Sequence, residues 1–128
     1  MRFYLSKTLS DGFDSSIERV IEALKAEGFG VLTDIDVRAT LKTKLNADWR
    51  PYRILGACNP PLAHQALQAE DKIGTMLPCN VIVQDMGNGT IEVAAIDPTA
   101  AMARLGNPKL ADLAATVRGK LEAVLARL

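Results

Sequence analysis

The chain has 128 residues, of which 48% are hydrophobic and 23% are charged. This size and composition are typical of one ordinary globular domain, so we expect a single domain over residues 1–128. Its 15 lysine and arginine residues balance 15 aspartate and glutamate residues. The sequence therefore lacks the basic excess of proteins that bind nucleic acids or anionic membrane surfaces, and neither partner is expected.

No apolar stretch approaches the roughly 20 residues that span a bilayer. The amino-terminal residues also lack the apolar segment of a secretory signal. We therefore expect a cytoplasmic protein. In that compartment, cysteines more often serve as metal ligands, redox centres or core residues than as stable disulfides.

In chain order, an opening strand is predicted over residues 3–9. A helix follows, with Asp14 as its predicted N-cap and Gly28 as the residue that ends it. Helical spacing of the apolar residues supports this helix: Ile17, Val20, Ile21 and Leu24 lie on one face.

A second strand is predicted over residues 30–35. Asp36 is the predicted cap of a short helix on which Val37, Leu41 and Leu45 share a face, although a continued strand also fits there. The third strand is predicted over residues 52–57.

Asparagine followed by proline predicts two further helix starts, at Asn59-Pro60 and at Asn107-Pro108. Between them, residues 80–84 and 90–96 are predicted to form a hairpin around Gly87-Asn88-Gly89, which Asp97-Pro98 ends. The third helix is expected to face inward with Leu62, Ala63, Ala66 and Leu67. The last helix carries a continuous apolar stripe: Leu110, Leu113, Ala114, Val117, Leu121, Val124, Leu125 and Leu128. This order predicts an α+β fold with helices packed on one face of a largely antiparallel sheet.

Three stretches of the chain carry a family resemblance: residues 54–63 (ILGACNPPLA), 73–83 (IGTMLPCNVIV) and 96–98 (IDP). They resemble the bacterial and archaeal family known as domain of unknown function 302, most specifically in Leu-Pro-Cys-Asn-Val and Asp-Pro. The resemblance covers nearly the whole chain. It implies a β-α-β(4)-α architecture similar to the TATA-binding-protein fold, often as a homodimer, and it implies no established activity.

Cys58 and Cys79 are the only cysteines, and the only histidine, His64, lies between them. Thiols and imidazoles do chemistry near neutral pH, so this window is the candidate site. The two cysteines lie at opposite sheet edges if their strands are parallel, and at the same edge if the strands are antiparallel. The pattern leaves both arrangements open, and the family resemblance implies the antiparallel one.

Three functions fit these residues. The favoured hypothesis is a non-catalytic module that binds a small molecule in a cleft or assembles with partners, including a second copy of itself. The second is a thiol redox or sulfur-relay protein, with Cys58 as nucleophile because it precedes a helix start, and Cys79 as the resolving thiol. The third is metal binding through both thiolates.

Five neighbouring residues are candidate binding residues: Asn59, His64, Pro78, Asn80 and Asp97. His64 falls on the outward side of its predicted helix, which favours a solvent-exposed side chain. Together with the cysteines it would supply three zinc ligands, one short of a closed structural site. We therefore predict no metal site and no cofactor. Asp97 is expected to end its strand by accepting hydrogen bonds from nearby backbone amides.

Overall fold

The structure is a computed structural model that describes residues 2–128. Its strands form one sheet with the order β1-β5-β4-β3-β2, and every neighbouring pair is antiparallel. The α+β fold with a largely antiparallel sheet is thereby confirmed. The strands are β1 (Tyr4–Leu9), β2 (Gly30–Asp36), β3 (Tyr52–Cys58), β4 (Cys79–Asp85) and β5 (Ile91–Ile96).

One helix follows each of β1, β2 and β3, and two more helices follow β5. They are α1 (Phe13–Ala26), α2 (Val37–Leu45), α3 (Pro60–Ala69), α4 (Pro98–Met102) and α5 (Pro108–Ala126). Short 3-10 helices cover Asp71–Met76, before β4, and Ala103–Leu105, between α4 and α5. Among residues 2–128, no helix combines the length and the apolar character needed to cross a membrane.

The main core lies between one face of the sheet and the helices α1 and α5. Strand side chains alternate between faces, so every second residue of β3, β4 and β5 is directed into this core. Its buried members are Leu9, Ile17, Val20, Ala23, Leu24, Phe29, Leu55, Ala57, Val81, Val83, Ile91, Val93, Ala95, Leu121, Val124 and Leu125.

A second, smaller apolar cluster packs around the amino-terminal half of α5. Ala66, Ile73 and Leu110 are buried there, and the partly buried Ala69, Leu77, Met102 and Leu113 surround them. Leu110 belongs to this cluster and Leu121 to the main core, about 16 Å apart along α5. The stripe predicted from the sequence therefore ties the two clusters together.

Most predicted helix boundaries are confirmed because the capping side chains bind as expected. Asn59 Oδ1 accepts a hydrogen bond from the Leu62 amide, and Asn107 Oδ1 accepts one from the Lys109 amide. Asp36 caps α2 by accepting from the Ala39 amide at 2.9 Å, so the segment after β2 is a helix and not a continued strand.

Two sequence predictions need correction. Gly12, and not Asp14, is the N-cap of α1, and no side chain caps that helix. Asp14 still lies in the first turn, where a carboxylate complements the helix dipole. Leu67 was expected to face inward but is 43% exposed, and α2 buries none of its residues.

Gly56 lies in β3 at a point where neighbouring side chains cover its Cα. A Cβ atom placed there would lie 2.8 Å from Pro78 Cγ and closer still to Thr33 Oγ1. The β2 and β4 sides of this strand therefore pack directly against the glycine backbone. A side chain at this position would have to displace one of them.

We predict that Gly56→Ala lowers the free energy of unfolding by about 1–3 kcal/mol, because the added methyl group overpacks the site. Gly119→Ala is the control. Gly119 lies on the exposed side of α5 with open space around its Cα, so the same change there should raise stability by about 1 kcal/mol. Urea denaturation of both variants measures the difference. If both substitutions changed the free energy of unfolding by the same amount and in the same direction, the close packing around Gly56 would be contradicted.

Candidate functional site

The antiparallel register of β3 and β4 brings the two cysteines to the same edge of the sheet. Ala57 pairs with Cys79, and Cys58 follows Ala57 in the strand. From the spacing of antiparallel strands and the rise per residue, the two cysteine Cα atoms are about 6 Å apart. Both residues are free cysteines and both are half-buried.

The two cysteines are diagonal neighbours in the sheet and not direct cross-strand partners. Ala57 is buried on the helix-facing side of the sheet, and Cys79 shares that side as its direct partner. Cys58 is the last residue of β3. Both cysteines line the same apolar space at this edge, and Cys58 contributes to the raised pKa of the Cys79 thiol.

Burial raises the pKa of the Cys79 thiol above its ordinary value, and the neighbouring Cys58 raises this pKa further. The thiolate, and not the thiol, is the nucleophile and the metal ligand. Cys79 is therefore held in its protonated, unreactive form near neutral pH. This environment disfavours the resolving role that the redox hypothesis gives it.

An apolar cavity lies beside this sheet edge, between the main core and the smaller cluster; we call it the interhelical cavity. It encloses about 480 Å³, including the space at its open mouth. None of its lining residues, all of which lie in the described part of the chain, carries a charge. They are Phe29, Ala57, Cys58, Asn59, Leu62, Ala63, Ala66, Leu77, Pro78, Cys79, Pro98, Met102, Leu113, Ala114 and Val117.

The cavity brings together some of the residues predicted from the sequence and excludes others. Cys58, Cys79, Asn59 and Pro78 all line it. His64 and Asn80 are exposed and lie outside it, as does Asp97. The exposed position of His64 agrees with its predicted outward orientation.

Asp97 has a structural role at the start of α4. Its Oδ1 atom accepts hydrogen bonds from the Thr99 amide at 3.0 Å and from the Thr99 hydroxyl at 2.6 Å. Burial alone would raise the Asp97 pKa, but the bonds from Thr99 and the nearby Arg118 outweigh it and hold this pKa below its ordinary value. The predicted hydrogen bond from a backbone amide to Asp97 is therefore present. Asp97 uses it to cap helix α4, which was not predicted from the sequence.

Residues 2–128 contain no group of three or more histidine, cysteine, aspartate or glutamate side chains arranged to bind a metal ion. His64 is exposed, away from the cavity that both cysteines line. The three residues considered together from the sequence are thus not assembled into one ligand set.

Several residues that line the cavity could not be identified from the sequence, because their pattern is that of ordinary core positions. Phe29 and Met102 belong to no motif, and Val117 belongs to the stripe of α5. The sequence did contain a signal for one part of the cavity wall. Asp97-Pro98, like Asn59-Pro60, is a capping side chain followed by proline, so it indicated the helix that ends at Met102.

The structure is that of a small α+β domain in which helices border an apolar cavity at one edge of the sheet. The family model described as "Domain of unknown function DUF302" matches residues 5–128, and the chain belongs to this family. It is also similar to the crystal structure of an uncharacterized conserved DUF302 protein from Bacillus stearothermophilus. The two are 35% identical with a TM-score of 0.92, over 99% of this chain and 98% of the other. No curated protein matches the chain.

We predict that Cys79 reacts slowly with iodoacetamide at neutral pH, because its raised thiol pKa keeps the thiolate fraction low. The rate should be measured against pH in a Cys58→Ser variant, with the urea-unfolded variant as the reference. The folded protein should show its titration midpoint at higher pH than the unfolded one. A folded midpoint at or below the unfolded value would contradict the burial of this thiol.

Proposed function

We propose that this protein is a non-catalytic binding module whose ligand is a small, uncharged, apolar molecule held in the interhelical cavity. The observation that supports this most directly is the lining: apolar side chains, two thiols and one amide, with no charged group among them. Ligand sites in proteins are typically concave and mostly apolar, with a few polar groups that orient the ligand. Asn59 and the two cysteines are the polar groups available here.

The space exists because the walls use small side chains. Ala57, Ala63, Ala66 and Ala114 all border it, where larger residues would fill it. An unfilled apolar space costs stability, since lining atoms lose packing partners. A ligand that fills the cavity would restore those packing contacts, and the regained contacts would favour binding.

The thiol and metal hypotheses receive no comparable support. The two cysteines are not direct cross-strand partners, and burial raises the pKa of the Cys79 thiol, which disfavours its thiolate. The family to which the chain belongs is one of unknown function, so the comparisons favour neither alternative. The free cysteines suit a reducing compartment, and we include the cytoplasm in this proposal.

We predict that the neutral dye N-phenylnaphthylamine binds the protein with enhanced fluorescence and raises its melting temperature. The Cys58→Ser, Cys79→Ser double variant should still bind, because the apolar walls supply the affinity. At a dye concentration about 100 times the Kd, the added stability should be about 2.7 kcal/mol. Loss of all dye-induced stabilisation in the double variant would show that the thiols are functional and overturn the proposal.

A matched pair of variants locates the dye. Ala63→Leu adds three carbons inside the cavity and should abolish or strongly weaken binding. Ala115→Leu adds the same atoms on the exposed side of α5 and should leave binding unchanged. Equal binding by both variants would place the dye elsewhere on the surface.

We further propose that two copies associate through the face of the sheet opposite α1 and α5. A row of apolar residues crosses that face in register: Ile35, Ile54, Ile82 and Ala94. All four are at least partly exposed, and Ile35 is 47% exposed. A contiguous exposed apolar surface of this kind is typical of an interaction site.

Helix α2 offers a further exposed apolar surface. It buries none of its residues in its own chain, leaving Leu45 71% exposed, with Trp49 44% exposed just beyond it. Two apolar surfaces come into question for a dimer interface: the open face of the sheet and the stripe of α5. The apolar stripe of α5 is used inside the protein, so the sheet and α2 remain as the apolar surface for a twofold, self-complementary contact.

We predict that wild-type protein sediments as a dimer, and that Ile35→Lys shifts it to monomer because a charge is then placed inside the apolar contact. Leu67→Lys is the control: Leu67 is similarly exposed but lies on α3, outside this face. Sedimentation velocity distinguishes the two. A monomeric wild type, or a Leu67→Lys variant that dissociates equally, would contradict the proposed interface.

A further inference from the structure

Two separate spaces meet at the carboxyl end of α4. The interhelical cavity is one. The other is an open surface groove, which we call the α4–α5 groove, bordered by Thr99, Met102, Gly106, Asn107, Ala111 and Ala114. Met102 and Ala114 border both spaces. Met102 and Ala114 therefore stand between the apolar cavity and the groove.

The two side chains differ greatly in their freedom to move. Ala114 is a buried methyl group in the middle of the 19-residue helix α5. Met102 is half-buried at the last position of a five-residue helix, followed by a 3-10 turn that ends at Gly106 with a φ of 63°. Methionine is unbranched, with three rotatable side-chain bonds, and adapts readily to its surroundings. Rotation of Met102 is the change that would join the two spaces.

The shape of the cavity indicates what kind of ligand would meet this partition. The interior of the cavity is small, about 40 Å³. An unbranched aliphatic chain can enter such a space one methylene at a time. The uncharged walls exclude an ionised group at the buried end of such a chain.

We propose that Met102 is the gate that limits the length of an unbranched, uncharged aliphatic ligand in the interhelical cavity. In the closed position its side chain forms the end wall, and displacing it lets a longer chain continue into the α4–α5 groove. Met102 is thus a specificity-determining residue. This inference rests on the proposed binding function and adds the ligand class and the residue that selects within it.

A series of n-alkanols of increasing length, titrated by calorimetry, tests the gate. In the wild type, affinity should rise about fourfold with each added methylene until the chain reaches Met102, and then level off. In Met102→Ala the levelling-off should move to longer alcohols. Met102→Leu, which nearly keeps the side-chain volume, should retain the wild-type limit and shows that the position tolerates substitution.

The control is Met76→Ala, which removes an exposed methionine that borders neither space. It should leave the wild-type length limit in place. If Met102→Ala binds alcohols with the same length limit as the wild type, the gate is refuted while the binding function stands. If neither protein binds any alcohol, the proposed function fails and the gate fails with it.

Discussion

The antiparallel pairing of β3 with β4 is the constraint on which the site depends. Because Ala57 pairs with Cys79, the chain leaves β3 toward α3 at the same edge where it enters β4. The segment Leu77-Pro78-Cys79 is thereby placed beside the start of α3. A parallel arrangement would put these segments at opposite edges of the sheet, and the walls of the cavity would not meet.

Helix α5 then determines that the space beside this edge stays open. It belongs to the main core through Leu121, Val124 and Leu125, and to the smaller cluster through Leu110. Where the two clusters approach one another, α5 presents the small side chain of Ala114. Protein interiors are ordinarily close-packed, so a space retained between two well-packed clusters is a feature that demands a reason. The proposed binding of an apolar ligand would supply that reason without requiring any reactive group.

The sequence was most informative where local rules act alone. Asn59-Pro60, Asn107-Pro108 and Asp36 each gave a correct helix start, because a capping side chain and its amide partner lie within a few residues of one another. Asp97-Pro98 also combines a capping side chain with proline, but we predicted from it only the end of a strand and not the start of α4. Asp14 misled because aspartate is a preferred N-cap residue, whereas the helix begins earlier, with Gly12 at the cap.

The site was only partly predictable because it is made by contacts distant in the chain. The cysteine window correctly indicated the sheet edge, yet the direction of each side chain depends on a register that no local pattern fixes. Met102 and Phe29 reach the cavity from segments more than 70 residues apart, and neither carries a motif. A cavity depends on how the whole chain packs. The sequence therefore indicated the segments around the two cysteines, but not that a space lies beside them.

Diffraction from a crystal of the protein pressurised with xenon would show whether the interhelical cavity is an apolar binding site, because xenon enters dry apolar cavities without needing any polar partner. We expect a xenon atom between α3, α4 and α5, in contact with Leu62, Met102 and Val117. A cavity collapsed by inward movement of those side chains, or one filled by hydrogen-bonded water with no xenon, would contradict the claim that this space is an apolar binding site.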